Sequence, residues 1–271
     1  MKTTTLILAL IFTIPAFSQE VNIMTFNVRY DNANDGEDRW GERKEEVVGL
    51  IKTYDPQIIG LQEALLHQVQ FVDSLLTDFA YIGVGRDDGE NSGEFTPLLY
   101  DSTKLELMDH STFWLSPTPD TVSVGWDAAL PRISTYGIFK EKETEKLIWV
   151  YNAHFDHIGE IARISSAATI VQHMSKNNIS KSPVVLMGDL NATPESRPIE
   201  LLNNHFEDSM KDSEQGTFWG FDPEATAERR IDYIFVKDIE FTNAKIINDK
   251  RNNGRHISDH LPVIISIQLE E

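Results

Sequence analysis

Several apolar runs in this sequence stop abruptly on a residue that can hold a cation or move a proton. MTFNVRY carries Asn27, IIGLQE ends on Glu63, IWVYNAHFDH presents His154 with Asp156 and His157 behind it, and VVLMGDLNATP presents Asp189 and Asn191 two apart. RIDYIFV places Asp232 inside an apolar run, and ISDHLPVIIS sets Asp259 and His260 directly before the last one. Polar residues gathered at strand ends build sites, because the strand fixes their position while the loop exposes them.

The chemistry follows from residue type. In extended backbone Asp189 and Asn191 point to the same side. A carboxylate there can orient or deprotonate a water, and an amide can donate to an anionic oxygen; the alternative is an Asx turn leading into a helix. An unpartnered carboxylate at Asp232 would cost several kcal/mol, so it needs a partner. Asp259 and His260 point apart, so one can face a cation while the other meets Asp232. A carboxylate that holds an imidazole fixes its tautomer and favours its charged form, which suits it to lie against developing negative charge; the alternative is a polar strand cap without chemistry. In a strand His154 and Asp156 share a face and His157 takes the other, so the three converge only if the strand breaks. Asn27 equally suits a turn, and Glu63 equally suits the first turn of a helix.

Other positions are weaker. Glu94 precedes the run FTPLLYD and reads as solvated from its surroundings alone. FWLSPTPDTVSVGWDAALPRIST carries Trp114, Trp126, Asp127 and Arg132. Arg132 could clamp a phosphate with two parallel hydrogen bonds, or pair with a surface carboxylate while both tryptophans pack the interior. Arg29 and Arg39, near Asn27, carry the same ambiguity, and YDNANDGEDRWGER reads as a substrate rim or a solvated connection. Arg29, Trp126 and Arg132 are the substrate-side candidates.

The elements that must position these groups alternate. Short β-branched or aromatic runs read as about ten strands. RKEEVVGLIKTY, LLHQVQFVDSLL, EIARISSAATIVQHMSK and a short stretch at PIELLNN read as helices with one buried face each. Four helices are too few to connect so many strands in parallel, so the pattern predicts an α/β fold of two packed mixed sheets flanked by helices, a four-layer sandwich. No repeat or linker divides the chain, and one domain is expected over residues 19–271.

Residues 1–18 read as a secretory signal: Lys2 precedes an apolar run from Leu6 to Ile14, followed by small residues at Ala16 and Ser18. The expected destination is periplasmic or extracellular, and no later stretch is apolar and long enough to span a bilayer. The absence of cysteine leaves oxygen and imidazole as the only metal ligands, which favours hard cations. A formal charge of −19, from 24 basic and 43 acidic residues, opposes binding to long polyanions and disfavours nucleic acid as a partner.

In this order, FNVR, GLQE, NAHFDH, GDLNATP, RIDYIF and SDHLP resemble the endonuclease/exonuclease/phosphatase superfamily from about Val21 to Leu269. The resemblance implies a four-layer α/β/β/α sandwich and a Mg²⁺- or Mn²⁺-dependent phosphoesterase that hydrolyses by direct in-line attack of water. It implies Asn27, Glu63 and Asp259 on the metal side and His260 on the scissile phosphate, oriented by Asp232. Asp189 would position or deprotonate the water, Asn191 would contact the phosphate, and His154 would be a second phosphate-contacting histidine with Glu94 as its carboxylate partner. A small-molecule or lipid-derived phosphate ester is the expected substrate; a secreted nuclease and a noncatalytic binding module of the same fold are the alternatives.

Overall fold

Strand periodicity builds three apolar layers. Along β1 (Gln19–Asn27) Ile23 enters one cluster while Met24 and Phe26 enter a second. Along β8 (Val184–Asp189) Val185 and Met187 join the first cluster and Leu186 a third. Alternate residues of a strand thus feed opposite faces, as the two-residue period requires. The computed structural model describes residues 19–177, 182–222 and 226–269. The expected signal segment, residues 1–18, lies outside the described residues.

The first sheet contains β1, β2 (Ile58–Gln62), β3 (Phe79–Ile82), β4 (Leu98–Asp101), β11 (Phe241–Ile246) and β12 (Val263–Leu269), in the order β11-β12-β1-β2-β4-β3. The second contains β5 (Leu105–Trp114), β6 (Ile133–Glu141), β7 (Leu147–His154), β8, β9 (Glu207–Asp208) and β10 (Asp232–Lys237), in the order β5-β6-β7-β8-β10-β9. Helices α1 (Trp40–Tyr54) and α2 (Leu66–Leu75) cover the first sheet through Val47, Ile51, Val69 and Val72. Helices α3 (Glu160–Lys176) and α4 (Arg197–Asn203) cover the second through Ala167, Ile170, Ile199 and Leu202. The expected α/β/β/α sandwich is the fold. The added strand β9 is two residues long, too short to leave a pattern in the sequence. Among the described residues no helix is long and apolar enough to cross a membrane.

The sheets repeat one arrangement. In the first, the parallel pair β1/β2 is flanked by antiparallel β12 and β4. In the second, the parallel pair β7/β8 is flanked by antiparallel β6 and β10. The C-terminal ends of both parallel pairs and the N-terminal ends of β10 and β12 therefore meet at one edge of the sandwich. Asp232 opens β10 at that edge and is not mid-strand as its apolar flanks suggest.

A buried polar bridge joins the sheets just beneath this edge. Gln62 Nε2 donates to Asn152 Oδ1 at 2.7 Å and to Thr25 Oγ1 at 3.0 Å, and Asn152 Nδ2 donates to the carbonyls of Leu61 and Pro97 at 2.8 and 2.7 Å. Gly60 makes room for it, since a Cβ there would stand 2.8 Å from Asn152 Cγ.

Candidate active site

The first sheet delivers its groups through left-handed turns. Asn27 ends β1, Glu63 follows β2 with φ 60°, and Arg29 has φ 56°. This region costs an L-residue roughly 1–2 kcal/mol, so the surrounding structure must hold it. Arg43, fully buried on α1, does so by donating to the carbonyls of Val28 at 2.6 Å, Arg29 at 2.9 Å and Ile257 at 3.3 Å. Ser258 Oγ donates to the Asn27 carbonyl at 2.7 Å. The loop after β1 is thereby tied to the segment carrying Asp259 and His260.

The second sheet sets His154 and Asp232 beside Asp189 in strand register. Gly188 has φ 142°, and a Cβ there would lie 1.9 Å from the Ala153 carbonyl oxygen, so no other residue fits. Beyond β8 the extended alternation expected for Asp189 and Asn191 gives way to an Asx turn. Asp189 Oδ1 accepts from the Asn191 N–H at 2.9 Å, and Asn191 is left-handed with φ 47°. Its amide nitrogen still reaches His154 Nε2, at 3.3 Å.

The two halves meet at Asp189 and His260. His260 Nδ1 donates to Asp232 Oδ2 at 2.8 Å, the partnership anticipated for Asp232. The Nε2 atoms of His260 and His154 stand 3.8 and 3.6 Å from Asp189 Oδ2. Asn27 Nδ2 donates to Glu63 Oε1 at 3.1 Å and Asp189 Oδ2 at 3.0 Å, while its Oδ1 accepts from the Arg29 N–H at 2.9 Å. Asn27 thus presents nitrogen to the carboxylates, and serving a metal through oxygen requires the amide to turn over.

Burial and charge set the titrations. Burial pushes Asp189 up to about 7 and Asp259 to about 6, against the pull of His260. Glu63 is half-buried, and against the upward push of desolvation His260, Asn27 and Arg29 hold it below the usual carboxylate value. For His260 burial is outweighed by Asp232, Asp189 and Asp259, which raise it well above its ordinary value. His154 is driven well below that value by burial and by the charges of Arg132 and Arg86.

Glu63, Asp189 and His260 each bring a possible ligand atom within 4.8 Å of the other two. A protonated His260 withholds its nitrogen, which leaves the oxygens of Glu63, Asp189 and Asp259, and of Asn27 once turned. Two carboxylates raised by burial and, secondarily, by neighbouring carboxylates in an oxygen-rich cluster fit a hard divalent cation.

The cavity between these groups measures about 500 Å³ and is lined by Arg29, Glu63, Glu94, Arg132, His154, His157, Asp189, Asn191, Asp259 and His260. Asn27 and Asp232 lie behind that lining, buried. Glu94 is not solvated: it takes two hydrogen bonds from Arg86, at 2.6 and 3.0 Å, and stands 3.8 Å from His154 Nδ1. Arg132 meets the buried carboxylate of Asp156 at 3.4 Å instead of a surface one. Trp114 is interior, its Nε1 donating to the Arg86 carbonyl at 2.9 Å. Trp126 is 40% exposed and outside the cavity lining, and Arg39 pairs with exposed Glu42. Tyr30, Leu130, Phe218, Arg229 and Ile231 also line the cavity and escaped the sequence reading. Tyr30, Leu130 and Ile231 lie inside segments already singled out and Arg229 abuts one, whereas Phe218 carries no local signal.

Residues 24–260 match the model of the endonuclease/exonuclease/phosphatase family. A family protein from Bacteroides thetaiotaomicron superposes with a TM-score of 0.89 at 33% identity, over 94% of this chain and 100% of that one. A mannosyl-6-phosphatase from the same organism superposes with a TM-score of 0.86 at 34% identity, over 91% and 99%. An uncharacterised protein of Acanthamoeba polyphaga mimivirus is 28% identical across 84% of this chain and 91% of its own length.

Proposed function

The chain belongs to the endonuclease/exonuclease/phosphatase family, and from that membership we propose that it is an exported, Mg²⁺- or Mn²⁺-dependent phosphoesterase acting on a small phosphate ester of the sugar-phosphate kind. The observation that carries this reading is the pairing, across one cavity, of a carboxylate cluster around a charged His260 with a neutral His154 beside Arg132. The former suits cation and transition-state charge; the latter suits the incoming phosphate. The mannosyl-6-phosphatase, similar over nearly its whole length, supports the substrate class. The charge of −19 weighs against a nuclease, and the opposed titrations of two histidines weigh against a noncatalytic module.

In the proposed mechanism Glu63 and Asp259, with Asn27, would hold a divalent ion, which would supply positive charge to the phosphate oxygens and the transition state. Asp189 is placed to orient the attacking water and accept its proton, since its raised value suits a base near neutrality. His260, kept charged by Asp232, stabilises charge developing on the phosphate, and the Asn191 amide donates to another oxygen. Arg132, braced by its hydrogen bond to His154 Nε2, completes the phosphate cradle, with Glu94 behind His154; Arg29 borders the metal side. The test is hydrolysis of mannose 6-phosphate, p-nitrophenyl phosphate, bis-p-nitrophenyl phosphate, sphingomyelin and plasmid DNA with Mg²⁺, Mn²⁺ or EDTA. Metal-dependent turnover of monoesters is expected; preference for DNA or sphingomyelin overturns the substrate class. Export is tested by N-terminal sequencing of the secreted protein, with a start near Gln19 expected.

A further inference from the structure

His157 takes no part in the mechanism above, yet it lines the cavity. It follows His154 by three residues, but the chain breaks from strand geometry after β7 and returns its ring to the rim. His154 is 5% exposed at the side chain and His157 is 48% exposed, so one lies at the floor and the other at the mouth. Arg132 joins them, donating through Nη1 to His154 Nε2 at 3.0 Å and through Nη2 to His157 Nδ1 at 2.9 Å.

A guanidinium has no acceptor, so Nδ1 of His157 must be the acceptor, and the ring is neutral with its proton on Nε2. That Nε2–H has no partner among the described residues. The backbone beneath the ring is rigid: Asp156, fully buried, accepts from the N–H groups of Ile158 at 2.9 Å, Gly159 at 2.7 Å and Ala129 at 3.1 Å. A neutral ring fixed in tautomer and orientation at the mouth of a phosphate site suits recognition of a neutral polar group beyond the phosphorus.

We infer that His157 is a specificity residue that donates through Nε2–H to a hydroxyl of a polyhydroxylated leaving group, and that Arg132 is the positioning residue setting its orientation. The inference rests on the phosphoesterase reading and deepens it, dividing the cavity into a phosphate floor and a sugar-reading rim.

The test compares His157→Ala and His157→Gln with wild type on mannose 6-phosphate, whose leaving group carries hydroxyls, and p-nitrophenyl phosphate, whose leaving group carries none. One neutral hydrogen bond predicts that His157→Ala lowers kcat/KM for mannose 6-phosphate about tenfold more than for p-nitrophenyl phosphate, chiefly through KM. His157→Gln, which retains a donor, should recover most of that difference. As a readout without turnover, mannose should inhibit p-nitrophenyl phosphate hydrolysis by wild type more strongly than by His157→Ala. Equal losses on both substrates, with unaltered inhibition by mannose, overturn the inference and leave the phosphoesterase reading standing. Absence of metal-dependent turnover of either substrate by wild type overturns that reading and the inference with it.

Discussion

His260 and His154 face one cavity from opposite sheets and are held in opposite states. His260 stands among Asp232, Asp189 and Asp259 and keeps its proton well above the ordinary range. His154 stands against Arg132 and Arg86 and gives its proton up. Both rings are almost fully buried, and burial alone would discharge both. The difference lies wholly in the neighbours: apart from Asp259, the groups that set the two charges come from segments distant in sequence from the histidine they act on.

The contrast breaks most completely on the carboxylate side. Glu63→Ala should lower metal-dependent kcat/KM by at least about 10³, because no other group in the proposed metal set is held below its usual carboxylate value; metal titration by calorimetry should show the matching loss of affinity. Next comes Asp232→Asn, which removes the charge holding the His260 proton and should cost about 10² in kcat, with a folded circular dichroism spectrum. Wild-type rates in either variant would sink the assignment.

The third test reads both rings through stability in EDTA-treated protein. A raised His260 stabilises the fold below the ordinary value of 6.5, and this contribution is lost as pH climbs through the higher folded value. A lowered His154 acts oppositely, since the unfolded chain takes up a proton first and stability falls as pH drops below 6.5. Urea melts of His260→Gln should therefore lose stability relative to wild type most at low pH, whereas His154→Gln should lessen the acid-side decline. Parallel curves for the two variants would erase the contrast. Smaller is Gly60→Ala, whose Cβ would meet Asn152 Cγ at 2.8 Å; a destabilisation of about 1–3 kcal/mol is expected by urea melt. Smallest is Trp126→Ala, outside the cavity lining, which should leave p-nitrophenyl phosphate turnover within about twofold.

Much of this site is legible in the sequence because chemistry and periodicity collide at the same residues. Asp189, Asp232 and His260 sit where apolar strands begin or end, and a charge there must be explained. The layers were legible for a different reason, since four helices with one buried face each are too few to connect about ten strands in parallel. What escaped depends on contacts between distant segments. Glu94 looks solvated until Arg86 and His154 close on it. Trp126 looks like a substrate contact until the chain turns it outward. The Asx turn at Asp189 shows that two local readings set against each other can both hold, since the turn itself delivers the Asn191 amide.

The bridge of Gln62 and Asn152 between the sheets has a further consequence. Glu63 is the next residue after Gln62 and His154 lies two beyond Asn152, so the same pair that locks the layers also sets the gap between the proposed metal side and the proposed phosphate side. Catalysis then becomes a gauge of interlayer alignment. On heating, activity should fade as the seam loosens while each sheet still keeps its own hydrogen-bonded ladder, and substitutions that stiffen the seam should extend the working temperature without touching any group that meets the substrate.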